Sequence, residues 1–147
     1  MVLAPLGRDA ELVRRTLAEA GQACRVCPSM HILDAEPLDG IAVLVVTEEV
    51  LSTEALRLLR ARLEAQPPWS TLPLIAFSAR GGSGAAWAGL EACTSAGLVL
   101  LERPIRIESF VSIVRAAVAA RRRQFQLRDE LAARAAAEAP RGCWQGR

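Results

Sequence analysis

The sequence predicts an α/β domain: a doubly wound, five-stranded parallel sheet carrying an extended C-terminal helix. Three observations lead there. Stretches with strand character and stretches with helix character alternate about five times, a pattern met by parallel strands joined through right-handed helical crossovers. Ile41 to Val46 reads IAVLVV, continuously apolar, as in a strand covered on both faces. Gly97 to Ala120 then joins a short buried strand to an amphipathic helix through one proline.

Taken in order, Met1 to Ala4 is apolar but short for a strand, and Pro5-Leu6-Gly7 breaks it. Arg8 to Ala20 has helical spacing, with Leu12, Val13, Leu17 and Ala20 on one face and Gly21 as the stop. Ala23 to Val26 is a weaker strand candidate. Pro28 to Gly40 is poorly patterned and has room for a short helix over His31 to Ala35. The apolar strand from Ile41 follows, ended by Thr47-Glu48-Glu49. Ser52 is placed to cap a helix, with Glu54 in the first turn where the dipole favours an anion. That helix runs to about Ala65, burying Leu56, Leu59 and Leu63, until Pro67-Pro68 stops it. Pro73 to Ser78 is the next strand, Gly81-Gly82-Ser83-Gly84 a loop, and Ala85 to Ala96 a weak helix of small residues.

Leu98 to Leu101 is the last strand. Proline donates nothing to a sheet ladder, so Glu102-Arg103-Pro104 ends it. The period then changes: Ile107, Phe110, Val111, Ile113, Val114, Ala117 and Val118 recur at three- and four-residue steps, as on a helix.

Length and composition set bounds. One domain of ordinary size is expected from 147 residues, and 52% hydrophobic content is ample for a core. The longest apolar runs are too short to span a bilayer, and no basic-then-apolar leader is seen, so the chain reads as cytoplasmic and off the membrane. A net charge of +2 is too small to imply nucleic acid as the partner of the whole surface. Cys24 and Cys27 form a C-x-x-C, but Cys93 and Cys143 are solitary, and zinc needs a second close pair or histidines. Along a strand Cys24 and Cys27 face opposite ways, so neither a metal nor a redox pair is expected, and no cofactor is.

A buried strand, a charged residue plus proline, and an amphipathic helix together resemble the last βα unit of a receiver domain, the response module of two-component signalling. The resemblance covers about residues 2 to 120. It implies a flavodoxin-like sheet of order 2-1-3-4-5 with its reactive groups at the strands' carboxyl ends. A receiver keeps there two acidic residues after the first strand, a phospho-accepting Asp after the third, a Ser or Thr after the fourth, and a Lys before a proline, usually cis, after the fifth. In this chain Ala4 and Pro5 stand for the acidic pair, Thr47 for the acceptor, Ser78 for the hydroxyl, and Arg103-Pro104 for Lys-Pro. A threonine is a far weaker nucleophile towards phosphoryl donors than a metal-positioned carboxylate, and Ala4-Pro5 offers Mg²⁺ no ligand. Glu48 or Glu49 slipping into the acceptor position would still lack that metal, and both read as solvated loop charges. The resemblance is thus to a non-catalytic pseudo-receiver, with Arg103-Pro104 cis and Arg103 directed towards Ser78.

Within that family, APLGRDAELV, VVTEEVL, QPPWSTLPLIAFS and LLERPIRIESFVSIVRAAVAARRRQFQLRDEL resemble a subgroup at the N-terminus of bacterial sensor histidine kinases. There the unit leads through a long helix into kinase or sensory parts, which implies a histidine kinase as partner. The chain itself carries no ATP-binding glycine boxes and no phospho-accepting His motif. No Pro or Gly interrupts the chain from Ile105 to Ala139, so helix can run for about 30 residues, roughly 45 Å. Past Val118 its apolar stripe narrows to Gln124, Leu127 and Leu131, in register with Phe110, Ile113 and Ala117, which is the pattern of a coiled-coil seam for a homodimer or a partner helix. Residues 1 to 120 are read as the receiver-like domain, 121 to 139 as the helical extension, and 140 to 147 as a flexible tail.

Two other readings compete. Arg121-Arg122-Arg123 with Arg128 is the one basic cluster, either a solvated helical face or a phosphate contact. Pseudo-receivers with a small RNA-binding module act as antiterminators, but too few residues follow Pro140 here for that module. Gly81 to Gly84 admits a small-ligand flavodoxin-like domain, although it lacks the Lys-Ser/Thr of a phosphate loop.

Overall fold

A computed structural model describes residues 1–4, 8–78, 84–94 and 97–138. Five strands form one all-parallel sheet in the order β2-β1-β3-β4-β5: β1 Val2–Leu3, β2 Val26–Cys27, β3 Leu44–Thr47, β4 Leu74–Ser78 and β5 Leu98–Glu102. This is the 2-1-3-4-5 order of flavodoxin-like doubly wound sheets. The helices are α1 Arg8–Glu19, α2 Ile32–Ala35, α3 Thr53–Glu64, α4 Ala85–Cys93 and α5 Ile107–Glu138.

Because strand side chains alternate, each central strand divides itself between two cores. Leu44, Val46, Leu74 and Ala76 face one way and meet Leu33 of α2, Leu59 of α3, and Trp87 and Leu90 of α4. Val45, Ile75 and Phe77 face the other way, against Ala10 and Leu17 of α1 and Phe110 and Val114 of α5. Covering both faces explains why β3 and β4 are apolar without alternation, as the sequence led one to expect. Cys27 belongs to the first cluster and Cys24 packs against the second, so the two thiols do lie on opposite sides of the sheet.

Local signals act where they were read. Gly21 takes φ +74° and ends α1 in a Schellman turn: its N–H donates to Ala18 O, and the Gln22 N–H donates to Leu17 O. The Ser52 hydroxyl accepts from the Ala55 N–H at 3.1 Å. The Arg103–Pro104 bond is cis.

Several boundaries move, three of them by more than one residue. β2 lies at Val26–Cys27, where pairing with Val2 and Leu3 fixes the register, rather than over Ala23 to Val26. β3 begins at Leu44 rather than Ile41, because a 3₁₀ turn over Leu38–Gly40 takes the Ile41 N–H. α4 ends at Cys93, with Thr94 extended, and the rest of the expected helix, Ser95 and Ala96, lies outside the described residues. Among the described residues, no helix is long and apolar enough to cross a membrane.

Candidate functional site

Parallel strands bring their carboxyl ends to one edge, and the residues compared with a receiver's reactive groups meet there. Ala4 follows β1 directly; it is buried, and its N–H donates to Cys27 O at 3.1 Å. Thr47 closes β3 and Ser78 closes β4, both buried. Pairing continues past the last strand: Ser78 lies opposite Glu102, and the Arg103 N–H donates to Ser78 O at 3.0 Å. Arg103 is therefore tied to Ser78 through the backbone. Pro5 lies outside the described residues, as do Gly81, Gly82 and Ser83 of the glycine loop, Cys143 and the tail; Gly84 precedes α4.

Between α1, α5 and these strand ends lies a pocket of 220 Å³. Its walls are mainly apolar, from Leu12, Val13, Phe77, Ile105, Ile107 and Phe110, with Ala4 and Thr47 at the strand ends. Phe77 and Phe110 pack edge to face, with ring centroids 5.1 Å apart. The Thr47 hydroxyl is buried and completes no hydrogen bond of ordinary geometry among the described residues.

The Arg103 guanidinium crosses the rim. One of its terminal nitrogens lies 3.3 Å from Asp9 Oδ2 on α1 and 3.4 Å from Glu49 Oε1 on the 3₁₀ turn after β3. All three side chains keep contact with water, so each pair contributes at most about 1 kcal/mol. Glu49 is accordingly more than a solvated loop charge. Burial opposes its ionisation, but the adjacent Thr47 hydroxyl, its own backbone N–H and Arg103 together outweigh this and hold its carboxyl below the usual range. Thr47 approaches that carboxyl closely enough to favour the anion without forming a regular hydrogen bond. Asp9 escaped the sequence reading because an acid in the first turn of a helix already has a reason to be there.

This edge of the molecule therefore presents a closed ion triad over an apolar hollow. Ala4, Thr47 and Ser78, the described residues at the ends of β1, β3 and β4, carry no carboxylate, and nowhere among the described residues do three or more His, Cys, Asp or Glu side chains gather as metal ligands.

The residues read as a helical seam divide in two. Phe110 is buried in the second core, and Ile113 and Ala117 pack against that core. Gln124 is also engaged within the molecule: its Oε1 accepts the Thr71 N–H at 2.9 Å, and its Nε2 donates to Thr71 O at 3.0 Å. Only Leu127 and Leu131 remain half exposed.

The basic cluster divides as well. Arg121 has no exposed surface, so it is neither a solvated charge nor a phosphate contact. It donates to Ser70 Oγ at 2.7 Å, Gln124 Oε1 at 2.8 Å and Leu38 O at 3.2 Å, and lies 4.7 Å from the centre of the Phe125 ring. Burial pulls its pKa down, the Asp39 carboxylate pushes it up, and Arg128 pulls it down again; a guanidinium stays charged throughout. Arg128 lies 5.3 Å from both the Trp69 and Phe125 rings and 3.8 Å from Asp39. Arg122 and Arg123 face solvent. Compared with known proteins, the chain matches no protein-family model and no curated sequence.

Proposed function

We propose that this chain is a receiver-like module that has lost phosphoryl chemistry and works by docking, with a histidine kinase or another two-component protein as its partner. The observation that carries the reading is the ion triad at the strand ends. In a working receiver the cation beside the proline reads a newly phosphorylated aspartate. Here Arg103 is already held by Asp9 and Glu49, and the acceptor position is a buried threonine. Such a module has one charge state at this edge and signals by who binds it. No catalysis is needed for that role. The exposed turns of α5 bearing Leu127 and Leu131 are the docking element, towards a partner helix or a second copy of the chain.

Radiolabelled acetyl phosphate with Mg²⁺ tests the chemistry. The wild-type protein takes up no stable label, and a histidine kinase core binds it equally well before and after the treatment. Base-labile label that survives Thr47→Ala and disappears in Glu48→Ala would overturn the reading, as would kinase binding that depends on acetyl phosphate.

A further inference from the structure

From its size, lining and single buried hydroxyl, we infer that the pocket beside Thr47 binds a small neutral aromatic molecule carrying one hydroxyl. The size argument is direct. An apolar protein cavity of about 150 Å³ accepts benzene. The pocket here measures 220 Å³, room for one ring and a short substituent. Leu12, Val13, Ile105 and Phe110 supply apolar contact for that ring.

Polarity selects the substituent. A buried hydroxyl without a partner is a standing cost that a ligand hydroxyl can remove. Thr47 is such a group in part: it is 3% exposed and lines the pocket, and its Oγ1, although close enough to Glu49 to favour that carboxylate, completes no regular hydrogen bond and keeps lone pairs for a ligand hydroxyl to donate to. Charge selects neutrality. Asp9 and Glu49 outnumber Arg103 at the rim, so an anion meets net repulsion as well as desolvation. A cation would have to displace Arg103 from both carboxylates. The rim is open enough for entry, since Leu12 and Ile107 are 46% and 55% exposed. Occupancy of this pocket is separate from kinase docking and is read without any partner.

Benzyl alcohol is the probe, with ethylbenzene as its isostere lacking the hydroxyl and benzoate as the anion. Titration of the ¹⁵N-labelled full chain should give saturable shifts at the Leu12, Val13, Ile105 and Ile107 amides. Thr47→Val should weaken benzyl alcohol roughly three- to tenfold, the worth of one hydrogen bond, and leave ethylbenzene unchanged. Leu12→Trp, at a rim position that tolerates bulk, should abolish both. Benzoate should bind more weakly than benzyl alcohol. The inference fails if benzyl alcohol gives no saturable shift at these amides, if Thr47→Val binds it as tightly as wild type does, if benzoate is preferred, or if Leu12→Trp leaves binding intact.

Discussion

Arg121 is the residue on which the C-terminal half of the molecule turns. A guanidinium taken out of water is costly unless its donors are met, and here Ser70, Gln124 and Leu38 meet two of its three nitrogens while Nε has no partner. Truncation removes those bonds and leaves a void beside Phe125. Arg121→Ala should therefore lower the unfolding free energy by about 3 kcal/mol, seen as a fall in urea midpoint at unchanged slope. Arg121→Met, which keeps the stem, should lose less. Nothing in the run Arg121-Arg122-Arg123 marks its first member for burial, since a basic triplet on a helix reads as a solvated face. The clue lay far away in sequence, in the Trp69-Ser70-Thr71 loop that receives it. Glu49 was legible only in part, for the same reason: its partner Arg103 is 54 residues away. Its carboxyl is held below the ordinary value near 4.5, so its contribution to stability is complete above that pH and lost as pH falls through the folded-state pKa. Glu49→Gln should lower stability in the neutral region, by at most about 1 kcal/mol, and flatten the acid limb, so that the mutant and wild-type curves converge at low pH.

At the scale of elements, the strongest sequence patterns were the ones satisfied within one segment. The apolar runs of β3 and β4, the Ser52 cap and the Gly21 stop need only neighbouring residues, and each is found where its chemistry put it. β1 and β2 are two residues long, and pairing rather than composition decides where they lie. α5 was legible in length but not in what its faces do. Its stripe reads as one seam, whereas the domain's own sheet and loop take Phe110, Ile113, Ala117 and Gln124. What is left for a second helix is Leu127 and Leu131. Four half-exposed leucines in a pair of chains supply only a few kcal/mol, at about 1.5–3 kcal/mol for each leucine buried from full exposure. Self-association is thus expected in the upper micromolar range, near 5.5 kcal/mol at 100 micromolar. Light scattering checks this: wild type should gain mass with concentration, and Leu127→Asp/Leu131→Asp should stay monomeric. On the proposed docking role, a partner helix with a longer complementary stripe would win that competition.

The whole molecule has two ends of different character. At the carboxyl ends of the strands lie the apolar pocket and its ion triad; this end was legible as a place, because a parallel sheet gathers those residues whatever they are. Its contents were legible only by comparison with the receiver pattern, as alanine and threonine at positions where a receiver carries carboxylates, and the pairing of Arg103 with Asp9 was not legible at all. At the opposite end, α5 passes the loop before β4 and is clamped there by Gln124 on both backbone groups of Thr71. That clamp divides the longest helix into two regimes of amide hydrogen exchange. Between Phe110 and Arg128 the helix is bonded into the sheet and loop, so its amides can exchange only when the domain opens as a whole. From Asp129 to Glu138 the side chains are all exposed, and those amides exchange by fraying from the end. The protection profile should therefore fall in a step after Arg128, within a helix that has no break in its backbone. A partner seated on Leu127 and Leu131 would announce itself by moving that step towards Glu138.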